Sequence, residues 1–143
     1  MAGINIFTSE RGLGGALTNP TELARANKCI DQSYPLRFAG RDWPDADAAY
    51  QSCKTQDETA NDALMVQIIA VKLYQHRSLF DAINNLGGRR FLCECSHLSN
   101  DESEAAIGWE GRGLDSRFIR NFIGGFDLLT ESSAAEVYQQ TLL

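Results

Sequence analysis

The stretch ALMVQIIAVKLY, residues 63–74, is the most strongly patterned part of the chain. Its apolar side chains recur at the spacing of one helical face, and Gln67 and Lys72 interrupt them. This pattern predicts an amphipathic helix that packs against a core. A lysine inside such a stripe either extends to solvent, which is the commoner outcome, or lines a pocket. In a pocket, desolvation lowers the pKa of the amine and makes it a nucleophile.

Shorter elements are expected on both sides of this helix. Alternating apolar residues predict strands, whereas capping residues and glycines mark the ends of helices. The expected elements are strands over 4–7, 36–41 and 90–95, a tight turn over 12–15, helices over 45–54, 78–86, 115–123 and 133–143, and a long loop over 96–114. Gly124-Gly125 is expected to end the helix that begins near 115. Strands and helices do not alternate regularly, so the expected fold is a compact α+β domain, with a small sheet packed against several helices.

Composition and charge narrow the class of protein. The chain has 143 residues, of which 43% are hydrophobic and 22% charged, which suits a single globular domain over 1–143. Its 13 basic and 19 acidic residues give a net charge of −6. Gripping a phosphate backbone needs clustered positive charge, so no extended nucleic-acid surface is expected, although a pocket for one small anionic nucleotide is compatible with this charge.

The sequence also carries expectations about compartment. No apolar run approaches the roughly 18 residues of a membrane span, and the first residues do not form a secretory signal. We therefore expect a cytoplasmic protein with no membrane partner, whose four cysteines are free thiols. The sequence leaves the oligomeric state open.

The segment WPDADAAYQSCK, residues 43–54, brings three polar side chains to one helical face. Asp47, Gln51 and Lys54 stand at positions i, i+4 and i+7. A carboxylate, an amide and an amine in line are unusual on a face that packs against a core. The row is either an ordinary solvated face or one wall of a site, and the spacing alone does not decide between them.

The segment FLCECSHL, residues 91–98, places Cys93, Cys95 and His97 at alternate positions. Two thiols and an imidazole are zinc ligands, and Cys29 or Cys53 would supply a fourth. The spacing matches no standard zinc motif, so buried free thiols are the preferred interpretation and no metal site is expected.

The segment GWEGRGLDSRFIR, residues 108–120, combines glycines, a tryptophan and arginines at the start of a helix. Glycines allow close approach of backbone, Trp109 offers a stacking surface, and the first amides of a helix favour an anion. Together these features suit a nucleotide or an ADP-ribose-like ligand. Arg117 and Arg120 are equally compatible with ordinary surface charges.

Taken in order, these segments resemble the NADAR (YbiA-like) family over residues 4–125. The resemblance is carried by a short strand at 4–7, Asn19, Gly40, WPDADAAYQSCK at 43–54, then Met65, Lys72 and Gln75, and finally WEGRGLDSRFIR at 109–120. The family's usual helix glutamate is represented here by Asp47.

The resemblance implies an N-glycosidase that uses no metal or cofactor. Its substrate would be an ADP-ribosyl or ribosyl-phosphate N-glycoside, such as ADP-ribose attached to a guanine base or an intermediate of the riboflavin pathway. Asp47, Lys54 and Lys72 would be the catalytic residues, with a lysine either neutralising phosphate or attacking the ribose as an amine. The alternative is a non-catalytic protein that sequesters an ADP-ribose-type nucleotide.

The same resemblance, read together with the motifs, implies a set of substrate-binding residues. Some would hold phosphate, some would orient hydroxyl groups, and Trp109 would stack on the base. The set is Arg11, Gly12, Asn19, Trp43, Gln51, Gln75, Glu94, His97, Trp109, Glu110, Gly111, Ser116 and Arg117.

Overall fold

The computed structural model describes residues 3–99 and 108–131. The helices are α1 (Leu13–Ala16), α2 (Thr21–Ala26), α3 (Ala46–Cys53), α4 (Glu58–Gln75), α5 (Arg77–Leu86), α6 (Arg89–Cys93) and α7 (Arg117–Glu131), and a 3-10 turn spans Gly113–Asp115. The strands are β1 (Leu36–Phe38), β2 (Arg41–Trp43), β3 (Ser96–His97) and β4 (Gly111–Arg112). The expected α+β class is confirmed.

The core is built around α4, the helix that the opening stretch predicts. Ile68, Ile69 and Leu73 of α4 are fully buried, and α7 packs along the same helix with Ile119 and Phe122 fully buried. Burial of this apolar surface is the main stabilising contribution to a domain of this size. No helix in the described ranges is both long and apolar enough to cross a membrane.

Helix α7 does not end at Gly124-Gly125, so that prediction was wrong. The helix continues to Glu131 because both glycines lie where α7 touches α4. A Cβ atom on Gly125 would lie 2.7 Å from Cγ2 of Ile69, and one on Gly124 would lie 2.9 Å from Cγ2 of Val66. The glycines therefore permit close helix packing instead of stopping the helix.

The strands form two separate two-stranded sheets. β1 and β2 make an antiparallel hairpin in which Leu36 faces Trp43, and β3 pairs antiparallel with β4. The single strand expected over 36–41 is therefore a hairpin, because Ala39 and Gly40 both adopt positive φ and reverse the chain. The strand expected over 4–7 is reduced to one parallel bridge between Asn5 and Ser96.

Further expectations need correction. The long loop expected over 96–114 contains β3, β4 and the start of the 3-10 turn. The turn expected over 12–15 is the short helix α1, and the strand expected over 90–95 is the helix α6, in which the consecutive residues Phe91 and Leu92 are both buried. Alternation therefore misled the prediction there. Helix α5 begins at Arg77 with no side-chain cap, although Gly87 ends it as expected. The helix expected over 133–143 lies outside the described residues.

The helix expected over 45–54 is confirmed as α3, and Asp45 fixes its start. The Asp45 carboxylate accepts a hydrogen bond from the amide of Ala48 at 2.8 Å and another from the amide of Glu22 at 3.0 Å. One side chain thus caps α3 and ties it to α2. This tie sets the orientation of the polar row on α3.

Candidate functional site

A cavity of about 440 Å³ opens beside α3, and we call it the α3 cavity. Its walls come from the segment before α1, the loop between α1 and α2, and helices α2, α3 and α4. The segments around β3 and the start of α7 complete it. The lining residues are Phe7, Thr8, Thr18, Asn19, Pro20, Leu23, Asp47, Tyr50, Gln51, Lys54, Met65, His97, Trp109 and Phe118. Its volume suits a small organic ligand.

One wall of the α3 cavity is the polar row on α3. Asp47 is half-buried, and its Oδ1 accepts a hydrogen bond of 3.3 Å from Nε2 of Gln51. Lys54 is exposed at the end of the row, with Nζ 6.0 Å from the ring centre of Tyr50. The row is therefore one wall of a cavity, and not simply a solvated face.

Desolvation makes the Asp47 carboxyl a better base. Burial raises the pKa of this group above its ordinary value, and the nearby charge of Asp45 acts in the same direction. The hydrogen bond from Gln51 and the positive charge of Lys54 oppose the rise in pKa without cancelling it. A raised pKa on a carboxyl that faces a cavity is typical of a functional group.

A second wall is the loop between α1 and α2, which carries Thr18 and Asn19. The carbonyl oxygen of Asn19 accepts a hydrogen bond of 3.1 Å from the amide of Asp47, and this bond joins the loop directly to α3. The Asn19 side chain is buried, and its Oδ1 has no hydrogen-bond partner among the described residues.

Aromatic side chains also line the α3 cavity. The rings of Tyr50 and Trp109 meet edge to face, with centres 6.2 Å apart. The guanidinium carbon of Arg117 lies 4.0 Å from the centre of the Trp109 ring, and Nε of Arg117 donates to Oδ1 of Asp62 at 2.7 Å. Arg117 thus supports the tryptophan from behind and does not line the cavity.

His97 lines the cavity and lies between the rings of Phe7 and Phe118. Its Nδ1 is 2.7 Å from the carbonyl oxygen of Ile6, and its ring centre is 4.4 Å from that of Phe118. A carbonyl only accepts, so Nδ1 donates its proton and Nε2 is an acceptor. Burial lowers the pKa of His97 although Ile6 and Glu110 oppose this, so the ring is neutral at neutral pH.

Lys72 lies behind the loop wall and outside the cavity lining. Its side chain is fully buried, and Nζ donates to the carbonyl oxygens of Ala16 at 2.8 Å and Thr18 at 2.5 Å. Burial lowers the pKa of the amine to about 7, with Asp45 opposing. The lysine neither extends to solvent nor opens into the cavity, so the sequence-based choice between those two outcomes did not include the observed one.

The structure brings only part of the expected substrate-binding set together. Asn19, Gln51, His97 and Trp109 line the cavity alongside Asp47 and Lys54. The remaining members do not line it: Arg11, Gly12, Trp43, Gln75, Glu94, Glu110, Gly111, Ser116 and Arg117.

Several of these outlying residues make structural contacts instead. Trp43 Nε1 donates to the carbonyl oxygen of Phe38 at 2.9 Å within the hairpin, and the Gln75 amide bonds both backbone groups of Arg37. Ser116 Oγ accepts from the amide of Ile119 at 3.1 Å and so caps α7.

The other outlying residues are exposed, lie in loops or belong to β4. Glu110 accepts hydrogen bonds from the amide and hydroxyl of Ser99. Arg11, Gly12 and Glu94 are exposed. Gly111 begins β4 with a φ of 152°, and a Cβ there would lie 2.9 Å from the backbone of Asp115, so this glycine serves the fold of the chain around β4.

Sequence reasoning missed the apolar lining of the cavity. Tyr50 stands one turn after Asp47 on α3, so the spacing that aligned the polar row also signalled its presence there. Phe7 and Phe118 come from segments far apart in the chain, and no local pattern joins them. The residues missed are Phe7, Thr8, Thr18, Pro20, Leu23, Tyr50, Met65 and Phe118.

The cysteines do not assemble into a site in the described part of the chain. No group of three or more His, Cys, Asp or Glu side chains there is arranged to hold a metal ion. All four cysteines are free thiols, but only Cys95 is buried, whereas Cys29, Cys53 and Cys93 are partly accessible. Cys93 ends α6 and Cys95 follows it, so the alternation that suggested a shared face is absent.

Comparison with protein-family models, with curated proteins and with solved structures finds no match to this chain. The resemblance to the NADAR family therefore rests on the sequence segments quoted above.

Proposed function

We propose that the protein is an N-glycosidase that hydrolyses the bond between a ribose and a base nitrogen in an ADP-ribosyl or ribosyl-phosphate compound. The observation that carries the proposal is the polar row on α3. A desolvated carboxylate, an amide and an ammonium group stand in line and share with aromatic rings the lining of a cavity large enough for a nucleoside.

Asp47 has the properties that cleavage at an anomeric carbon requires. A carboxylate beside that carbon stabilises the positive charge that develops as the glycosidic bond breaks, or removes a proton from the attacking water. Water then adds its oxygen to the anomeric carbon, and the base nitrogen leaves with the bonding pair and takes up a proton. The raised pKa of Asp47 favours its role as the base.

The other cavity residues are assigned to different parts of the substrate. Trp109, Tyr50 and Phe118 offer ring surfaces for a base. His97 Nε2 is an acceptor suited to a ribose hydroxyl. Lys54 is exposed at the rim and is the one cation among the lining residues that the structure describes, so it is the residue we assign to phosphate or to protonation of the leaving base.

The test is incubation with a panel of candidate substrates, read by mass spectrometry. The panel holds NAD, an ADP-ribosylated guanine nucleotide and riboflavin-pathway intermediates. Release of a free base by the wild type, and its loss in Asp47→Asn and Lys54→Met, would support the proposal. The matched controls are Asp81→Asn and Lys28→Met, which remove an exposed carboxylate and an exposed amine that do not line the cavity.

Sequestration is the competing outcome of the same experiment. If the protein depletes the free compound from solution, and the compound is recovered intact only after heat denaturation, the protein is a binding protein. Equal product release by wild type and Asp47→Asn would contradict the assignment of Asp47.

A further inference from the structure

We propose that Lys72 is a positioning residue for the α3 cavity: its amine holds the carbonyls of Ala16 and Thr18, and so fixes the loop that carries Asn19 against the amide of Asp47. The inference deepens the proposed function, because the group being positioned is the candidate catalytic carboxylate.

The contact geometry is the first support. The Lys72 side chain crosses from α4 to the end of α1 and donates to two carbonyl oxygens, at 2.8 Å and 2.5 Å. Ala16 is the last residue of α1, where carbonyl groups lack partners within the helix. The amine supplies donors to this short helix end in place of backbone.

The second support is the path from the lysine to the cavity. Thr18 and Asn19 are adjacent in the chain and both line the cavity. The next link is the hydrogen bond of 3.1 Å between the Asn19 carbonyl and the amide of Asp47. Two consecutive residues thus separate the buried amine from the backbone of the candidate catalytic residue.

The third support is that burial excludes the alternative role. Lys72 is fully enclosed and is absent from the cavity lining, so a substrate in the cavity does not touch its amine. A chemically reactive lysine needs access to a carbonyl carbon. Among the described residues, the Tyr34 ring centre lies 5.8 Å from Nζ of Lys72, and the charge of the amine interacts with Asp45 and His76. None of these three residues lines the cavity.

Amide hydrogen exchange without substrate tests the assignment independently of catalysis. In Lys72→Met we expect the amides of Leu17, Thr18 and Asp47 to exchange roughly tenfold faster or more, as after loss of a buried hydrogen bond. Amides of α7 should change less than these. In Lys72→Gln, which keeps an N–H donor but no amine, the increase should be smaller than in Lys72→Met.

The control is Leu129→Ala, which removes a buried side chain of α7 without touching either carbonyl. It should leave exchange at Leu17, Thr18 and Asp47 no faster than in the rest of the protein. An equal increase at all helices in Lys72→Met, no increase at the loop, or identical exchange in the methionine and glutamine variants would overturn the proposal. A failed glycosidase assay would leave these results unaffected.

If the variants do not fold, the wild-type protein still gives an answer by NMR. The carbonyl carbons of Ala16 and Thr18 should titrate with the same midpoint as the Lys72 amine. Midpoints that differ from that of the amine would overturn the proposal.

Discussion

The amide nitrogen of Asp47 lies 3.1 Å from the carbonyl oxygen of Asn19, although the two residues belong to different walls of the α3 cavity. This bond makes the polar row on α3 and the loop after α1 one unit. The same loop is held from behind by Lys72. Substitutions at either end of this chain of contacts should therefore alter the geometry of the cavity.

The first prediction concerns how the desolvated carboxylate of Asp47 affects the stability of the folded protein. Because burial raises the pKa of Asp47 in the folded protein, the folded state binds more protons than the unfolded state between the ordinary aspartate pKa and the raised one. The stability contributed by this group is present at acid pH and is lost as the pH rises. Asp47→Asn should therefore have a higher Tm than wild type at neutral pH, while losing about 100-fold or more in turnover.

Thermal unfolding of both proteins at neutral and acid pH checks this sign. The stability advantage of Asp47→Asn should shrink below the ordinary pKa of aspartate, where both side chains are uncharged. Asp81→Asn on α5 is the exposed control and should show no such advantage. A lower Tm for Asp47→Asn at neutral pH would contradict the prediction.

The second prediction uses the pKa of Lys72, which burial lowers to about 7. The unfolded chain keeps this amine protonated to about pH 10.4, so the unfolded state binds more protons between these values and the group adds stability as the pH rises. The slope approaches about 1.4 kcal/mol per pH unit for one fully shifted group.

Urea unfolding of wild type and Lys72→Met measures this contribution. The free energy of unfolding that the substitution removes should be larger at about pH 9 than at about pH 7. Lys28→Met, which changes an exposed lysine, should have the same effect at both values. An effect of Lys72→Met that does not vary with pH would show that the folded-state pKa is not lowered.

Local patterns predicted the parts of the fold that local physics determines. The helix expected over 45–54 formed as α3, and the stripe over 63–74 became the buried face of α4. The polar row on α3 followed from helical spacing alone. These features depend on neighbours within one or two turns, so a single sequence carries them.

Tertiary contacts decided the rest. The local sequence at Gly124-Gly125 predicts the end of a helix, yet α7 continues through both glycines because they pack against α4. Arg117 belongs to the set predicted to bind substrate, yet it donates a hydrogen bond to Asp62 and packs on the Trp109 ring. Lys72 reads as a surface or pocket lysine, yet two carbonyls from a distant loop bind it. Except for Trp109, these partners lie far away in the sequence, so no periodicity reveals them.

The third prediction reverses the usual effect of a helical glycine. Replacing glycine by alanine inside a helix normally stabilises it by about 0.5–1 kcal/mol. At Gly125 the added Cβ would lie 2.7 Å from Ile69 and 2.9 Å from the carbonyl oxygen of Val66, so α7 must move away from α4. Gly125→Ala should lower the free energy of unfolding by about 1–3 kcal/mol. Gly108→Ala is the control, because nothing lies within 4 Å of its added Cβ; equal effects of the two substitutions would contradict the packing argument.

The last prediction uses the salt dependence of binding to separate the roles of Lys54 and Arg117. Lys54 lines the cavity and is exposed, whereas the guanidinium of Arg117 contacts Asp62 at 2.7 Å and covers the outer side of the Trp109 ring. An attraction between an exposed cation and a phosphate weakens as salt increases.

Calorimetric titration with ADP-ribose at low and high salt should show that wild type and Arg117→Met lose affinity in similar proportion. Lys54→Met should bind more weakly at low salt and change less between the two conditions. A salt dependence abolished by Arg117→Met and preserved in Lys54→Met would instead place the phosphate beside the arginine, and would move the ligand to the outer side of Trp109.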